Sequence, residues 1–239
     1  MTATAFVSEQ FDEAYPPGIE HLFWTLARNR IVLREIRAVA AERGNIQRIL
    51  DIGCGRGITL RYLRNQGIDC FGVEAASSPS LGDLTSFIRS GIDCFQIDAR
   101  ERAGYEALLL LDVLEHIADP VGFLRKVRAA YPNARALILT VPARKELWSN
   151  YDEHFGHFRR YTVETLAEEL RASGFETIRS RYFFRALYPV MWGMRGHRTT
   201  TTRAPGNVAL HRFMADCFIA EDRLLPGSIP GTSVIGQAW

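Results

Sequence analysis

From Ile49 to Gly57 the chain reads Ile-Leu-Asp-Ile-Gly-Cys-Gly-Arg-Gly, an apolar run that carries one acid, Asp51, and then breaks into alternating glycines. A helix-forming stretch, 58–64, follows at once. This order reads as a buried strand, a tight turn and a helix start. Glycine lets the backbone come close to a ligand and take positive φ, and a helix N-terminus offers unpaired N–H groups to a carboxylate or phosphate. Gly53, Cys54, Gly55 and Gly57 therefore point to binding of a polar ligand group. A dinucleotide fingerprint, Gly-x-Gly-x-x-Gly, needs a third glycine where Ile58 stands. The spacing here is Asp-x-Gly-x-Gly-x-Gly instead.

Further acids stand where apolar runs end. Residues 70–74 read as a second strand closing on Glu74, where a nucleotide-binding unit places the acceptor for a ribose diol. Residues 94–97 read as a third strand ending in Asp98, and 107–111 as a fourth ending in Asp112. Open parallel sheets bind ligands at this carboxyl edge. Asp98 would suit an adenine amino group and Asp112 the far end of such a ligand. Two histidines extend the chemistry to proton transfer: His116, just past the fourth strand, and His157, after the fifth, since imidazole titrates nearest neutral pH. His116 also has the plainer reading of a buried ring that orients a helix start. Asp152, His154 and His157, with Glu115 and His116, leave a divalent-metal site open as an alternative, but no metal is assigned. Arg159 and Arg160 suit either an acceptor carboxylate or phosphate, or a surface salt bridge.

The glycine motif resembles the first motif of class I S-adenosylmethionine (SAM) methyltransferases. Asp112-Val113-Leu114-Glu115-His116-Ile117-Ala118-Asp119-Pro120 looks like a segment of their small-molecule group, which includes ubiquinone-biosynthesis O-methyltransferases. His157-Phe158-Arg159-Arg160-Tyr161-Thr162 and His21-x-x-Trp24-x-x-x-Arg28 resemble further elements of that group, so the likeness runs from about Trp24 to Ile235. It implies an α/β fold, a doubly wound, seven-stranded and mostly parallel sheet with helices on both faces and an antiparallel last strand. It implies SAM as cofactor, contacted by Asp51, Gly53, Cys54, Gly55, Gly57, Glu74, Ala75, Asp98, Ala99, Asp112 and Arg28. His157 and His116 become the catalytic candidates, and the reaction O-methylation of a small-molecule or lipid-linked acceptor. The alternative is a SAM-binding module without turnover. Two positions depart from the group: Glu106 replaces an Asp before the fourth strand, and Ala75-Ala76-Ser77-Ser78-Pro79 replaces an acidic-Ser-Pro turn.

Composition bounds the rest. The 239 residues suffice for one domain with a sizeable core. The expected division is an N-terminal arm and helix over 1–44, a cofactor-binding core over 45–143 and acceptor-side elements over 144–239. With 29 Lys plus Arg against 27 Asp plus Glu, the net charge of +2 gives no field for nucleic acid. Cys54, Cys70, Cys94 and Cys217 form no Cys-x-x-Cys pair and read as reduced core thiols, and no secretory signal opens the chain, so a cytoplasmic location is expected.

These side chains need a scaffold to hold them. Residues 1–18, with Pro16-Pro17-Gly18, suggest a loose arm, and 19–42 a long helix stopped by Gly44. Trp24 reads equally as core or as a lid over the cofactor. Asp119-Pro120 starts a helix over 120–131, and Thr162 caps another that Gly174 ends. Strands are expected at 136–141, 176–182 and 232–239, and a helix at 210–225. The aromatic stretch 183–194 is too short to span a bilayer and reads as a core or roof helix, or as a peripheral membrane contact. Polar 197–207, with threonines at 199–202, reads as a mobile loop. Oligomeric state is not legible.

Overall fold

The computed structural model describes residues 8–44, 46–77, 80–194 and 205–239. The threonines at 199–202, and Ser78 and Pro79 of the departing turn, lie outside the described residues. In chain order the elements are α1 (Ser8–Ala14), α2 (Phe23–Arg43), β1 (Arg48–Ile52), α3 (Ile58–Asn65), β2 (Asp69–Glu74), β3 (Ile88–Ser90), α4 (Ala99–Arg102) and β4 (Ala107–Leu111). They continue with α5 (Pro120–Ala130), β5 (Ala136–Pro142), α6 (Asn150–His154), α7 (Val163–Ala172), β6 (Ile178–Phe183), α8 (Leu187–Met194), α9 (Val208–Leu224) and β7 (Ser233–Ala238). Among the described residues no helix is long and apolar enough to cross a membrane.

The strands form one seven-stranded sheet in the order β3-β2-β1-β4-β5-β7-β6. β7 runs antiparallel to both its neighbours, β5 and β6, and the pairings among β1 to β5 are parallel. The doubly wound sheet and the antiparallel last strand expected from the sequence are both present. Strand residues alternate between two cores. Leu50 and Ile52 of β1, with Leu108 and Leu110 of β4, join Phe123, Leu124, Leu166 and Leu170 from α5 and α7. Ile49, Leu109 and Ile138 face the other way, onto Ile31, Val32 and Ile36 of α2, Leu60 of α3 and Phe218 of α9. Winding reverses between β1 and β4, which leaves a crevice at their carboxyl ends, the place where open α/β sheets bind ligands.

Local chemistry sets the boundaries and corrects several expectations. Asp119 accepts from Gly122 N at 2.9 Å with Pro120 in the first helical position, and Thr162 accepts from Thr165 N at 3.2 Å, so α5 and α7 start as expected. The third strand does not lie at 94–97. Asp93 and Gln96 form a capping box that winds Cys94–Gln96 into a 3-10 turn, while Ile88–Ser90 pairs with Gly72–Glu74. Asp98 therefore ends no strand. It is exposed and caps α4, accepting from Arg100 N at 2.9 Å, with Ala99 exposed beside it. The arm is not wholly loose, since 8–14 is helical and Phe11 is buried. The long helix begins at Phe23 after a 3-10 turn, Ile19–His21. Trp24 stacks on Phe184 with ring centroids 4.3 Å apart and belongs to the packing. Cys54, Cys70 and Cys94 are buried thiols, but Cys217 is exposed.

Candidate active site

The crevice between β1 and β4 gathers most of the residues that the sequence singles out. Gly53 has φ +77° and its N–H donates to Val73 O at 2.8 Å; a Cβ built there would fall 2.6 Å from Val113 Cγ2, so only glycine fits. At Gly55, φ +55°, a Cβ would fall 2.4 Å from the hydroxyl of Tyr15. Tyr15 thus lies directly over the loop. Glu74 braces the loop from β2, its carboxylate accepting from Gly55 N at 2.9 Å and Ala76 N at 3.0 Å. Burial raises the Glu74 pKa against the pull of those N–H groups. Ala75 follows it, exposed.

Asp51, 1% exposed, points into this region with Oδ1 lacking any hydrogen-bond partner. Burial pushes its pKa up to about 7, with Arg28 acting in the opposite direction. Arg28, from α2, pairs with Asp112 and donates to Thr59 Oγ1 at 3.1 Å. Asp112 also accepts from Thr140 Oγ1 at 3.0 Å. Its backbone is left-handed, φ +57°, which aspartate tolerates better than most side chains. Asp51, Gly53, Cys54, Gly55, Glu74, Asp112 and Arg28 therefore share one crevice. Asp98 and Ala99 sit apart from that set, exposed at the start of α4, where Asp98 is spent on capping the helix.

A second group lies beyond β4 and β5. His157 Nδ1 is 2.8 Å from Asp152 Oδ1, and its ring meets that of His116 edge-on with centroids 4.6 Å apart. Asp152 is fully buried on α6, where its Oδ2 accepts from Ser149 N at 2.8 Å and closes a capping box. Arg160 grips the same carboxylate through Nε at 2.7 Å and Nη2 at 3.0 Å. Burial alone would raise the Asp152 pKa, but the hydrogen bonds from His157 and Arg160 hold it well below the ordinary carboxylate value. Burial and the neighbouring His157 lower the His116 pKa to about 4. Glu115 is 1% exposed with Oε2 unpartnered, and burial followed by the Asp112 charge drives its pKa well up.

One ligand atom each from Glu115, His116 and His157 come within 4.8 Å of one another, so these three could hold a divalent ion. Two members of the metal alternative are engaged elsewhere: His154 pairs with Glu13 at 2.5 Å, and Asp152 serves His157 and Arg160. Arg160 is not open to an acceptor, because it is spent on buried Asp152, while Arg159 donates to Ala118 O at 2.8 Å and lies 3.5 Å from Glu169, the salt bridge its sequence position allowed.

A family model described as "Methyltransferase domain" matches residues 23–180, more than half of the chain. The chain belongs to this methyltransferase family. Its motifs and sheet place it among the class I SAM-dependent members. Relatives named ubiquinone biosynthesis O-methyltransferase include one from Aeromonas salmonicida, 29% identical over 40% of this chain and 43% of its own length. Another, from Pseudomonas aeruginosa, is 27% identical over 52% of this chain and 60% of its own length. The methyltransferase thus spans about half the length of the curated relatives it matches. The fold is shared with the plantazolicin methyltransferase BpumL, solved with a triazolic desmethylPZN analog and SAH (TM-score 0.58, 14% identity, covering 96% of this chain and 88% of that one). It is also shared with the Burkholderia thailandensis 1,6-didemethyltoxoflavin-N1-methyltransferase (TM-score 0.50, 19% identity, covering 86% and 76%). Three features of this methyltransferase escape a reading of its motifs: Tyr15 over the glycine loop, Asp152 as the partner of His157, and the unpartnered Glu115 oxygen. Tyr15 lies outside every motif and left no signal. The Ser149-x-x-Asp152 spacing was a legible capping box, although its link to His157 was not.

Proposed function

We propose that the protein methylates an oxygen of a small-molecule acceptor with SAM as donor, His157 taking the acceptor's proton. The observation that carries this reading is the Asp152–His157 pair at 2.8 Å, set edge-on to His116 past the carboxyl ends of β4 and β5. The crevice fits the cofactor on its own evidence. Asp51 offers a buried carboxylate oxygen without a partner, suited to an ammonium group, and Glu74 has lone pairs left for a ribose diol after accepting two backbone N–H groups. Gly53, Cys54, Gly55 and Arg28 complete the set; Asp98 and Ala99 would contact only the adenine end.

When bound, SAM supplies a methyl group on a sulfonium that is already activated by its leaving group. The protein must then align the acceptor, exclude water and receive a proton. An ionised Asp152 can only accept, so it holds the proton on His157 Nδ1 and leaves Nε2 free to act as base. Arg160 and Ser149 fix Asp152 in turn. His116, with its lowered pKa, stays neutral near pH 7 and does not place a second positive charge against His157 once that ring is protonated. The free Nε2 of a histidine oriented by a carboxylate supports turnover over a module that only binds SAM. The ubiquinone O-methyltransferase relatives support oxygen as the acceptor atom. Val190, Trp192 and Met194, each about half exposed on α8, support an apolar or lipid-linked acceptor met at a cytoplasmic membrane surface.

The test is transfer of a labelled methyl from SAM across a panel of hydroxylated small molecules. His157→Ala should lower turnover by about 10² to 10⁴ while S-adenosylhomocysteine affinity stays within about twofold. His157→Gln should not restore activity, since an amide cannot take the proton. Near wild-type turnover in His157→Ala refutes the base assignment. Loss of wild-type activity on EDTA treatment alone would instead put an ion on Glu115, His116 and His157.

A further inference from the structure

Residues 8–18 cross between the two halves of the site. On one side Asp12 pairs with Arg56, which stands between Gly55 and Gly57 in the glycine loop, and Arg56 Nη1 donates to Tyr15 O at 3.4 Å. On the other, Gln10 Nε2 donates to His154 O at 2.6 Å and Glu13 meets the His154 ring at 2.5 Å. His154 ends α6, the same five-residue helix whose Asp152 holds His157. Between these anchors Tyr15 lies on Gly55, stacked on buried Phe11 with centroids 5.9 Å apart. Arg28, Glu74 and Asp112 all act on its phenol electrostatically. Pro16-Pro17 and Gly18, at φ +87°, join the segment to the turn before α2.

We propose that residues 8–18 are a strap that closes over bound cofactor and carries its presence to the proton acceptor, with Tyr15 and Glu13 as positioning residues. The idea rests on the SAM reading above. With the Tyr15 ring down on Gly55 there is no room along the loop, so cofactor enters and leaves only when the strap lifts, and on closure the ring seats on the bound cofactor instead of on Gly55. The pairs that hold it are weak, as Asp12 is 74% exposed and both Glu13 and His154 are partly exposed. Closure on the cofactor restores the Gln10 and Glu13 contacts to α6 and so settles Asp152 against His157. Cofactor should therefore bind before acceptor.

The experiment combines the S-adenosylhomocysteine dissociation rate with hydrogen exchange, neither of which needs turnover. In the wild type the ligand should slow exchange both at 8–18 and at 150–157. Tyr15→Ala should release it about tenfold faster or more, and Tyr15→Phe, which keeps the ring, should stay within about threefold of wild type. Gln10→Ala with Glu13→Gln should leave 53–58 protected by the ligand but abolish its effect at 150–157. Unchanged release from a folded Tyr15→Ala protein, or ligand protection of 150–157 that survives the double variant, overturns the strap. If the strap behaves as described and no hydroxylated acceptor is ever methylated, the O-methylation reading fails and the strap stands. Failure of S-adenosylhomocysteine to bind at all overturns both.

Discussion

Asp152→Asn tests whether the catalytic pair and the local fold share one carboxylate. Asp152 is fully buried and receives Ser149 N at 2.8 Å, His157 Nδ1 at 2.8 Å and Arg160 at 2.7 and 3.0 Å. An amide presents one oxygen, and its NH₂ must face N–H groups of Arg160 or Ser149. The Arg160 side chain, 6% exposed, would then keep a buried charge without its counter-ion. Breaking one partner of such a pair costs about 3–5 kcal/mol, a large part of the ~5–15 kcal/mol that holds a domain together. At about 2–4 °C per kcal/mol for a chain of this size, the melting temperature should fall by roughly 6–20 °C. The sign with pH follows from the depressed Asp152 pKa. Its contribution is complete above the unfolded-state value of ~3.9 and is lost as pH falls towards the lower folded-state value, so wild type and variant should converge in acid. Turnover should fall by at least ~10²-fold as His157 loses its charged partner, with cofactor affinity little changed. Urea and thermal unfolding, repeated in Asp152→Asn with Arg160→Met, supply the control: removing the stranded charge should return at least ~1.5 kcal/mol. A loss under ~1 kcal/mol, or no recovery in the double variant, would refute the reasoning.

Three further outcomes are expected. Gly55→Val should abolish S-adenosylhomocysteine binding in calorimetry, because a branched side chain at φ +55° would occupy the space that Tyr15 already crowds; equal affinity would remove the loop from the site. Glu74→Ala should weaken binding by about 1.5–3 kcal/mol, and a 2′,3′-dideoxy analogue should lose most of that difference; an analogue that still separates the two proteins by the full amount rules out Glu74 as the diol acceptor. Asp51, with its pKa raised to about 7, binds its proton more tightly in the folded state than unfolded, so its contribution to ligand-free stability is full below ~3.9 and declines as pH rises through about 7. Asp51→Asn should flatten that slope, and an unchanged slope would show that Asp51 is not the group responsible.

The central sheet was legible because its inner strands are buried on both faces and read as continuous apolar runs; Ala107–Leu111 is the clearest case. β1, β2 and β4 run into Gly53, Glu74 and Asp112, the glycine and acids that the ligand edge needs. β3 was not legible for the opposite reason. It is an edge strand of three residues, Ile88–Ser90, two of them exposed, and it is held by backbone pairing to β2 rather than by a pattern of its own. The nearby apolar run at 94–97 looked more like a strand, but Asp93 and Gln96 satisfy its backbone locally and turn it into a 3-10 helix. In the site, Gly53, Gly55, Glu74 and Asp112 were readable from the loop and strand ends. Tyr15 was not, because it reaches Gly55 through a tertiary contact forty residues away in sequence, with no periodicity or spacing to announce it.

The segment after β4 shows how one short stretch serves both halves of the site. Asp112 closes the strand and pairs with Arg28 on the glycine-loop side, while Glu115 and His116, three and four residues later, stand beside His157. A chain that stayed extended would carry these residues away from the sheet edge. Instead Asp112 takes φ +57° with its N–H bonded to Thr140 O at 2.9 Å, and Leu114–His116 winds into a 3-10 turn with Leu114 buried beneath. A left-handed non-glycine residue carries a conformational cost and persists only where its surroundings over-determine it. Here Arg28, Thr140 Oγ1 and the Thr140 carbonyl supply that determination. The same contacts that hold Asp112 at the cofactor crevice therefore set where His116 and Glu115 emerge. A change at Arg28 or Thr140, on the cofactor side, should be felt at the proton acceptor as well.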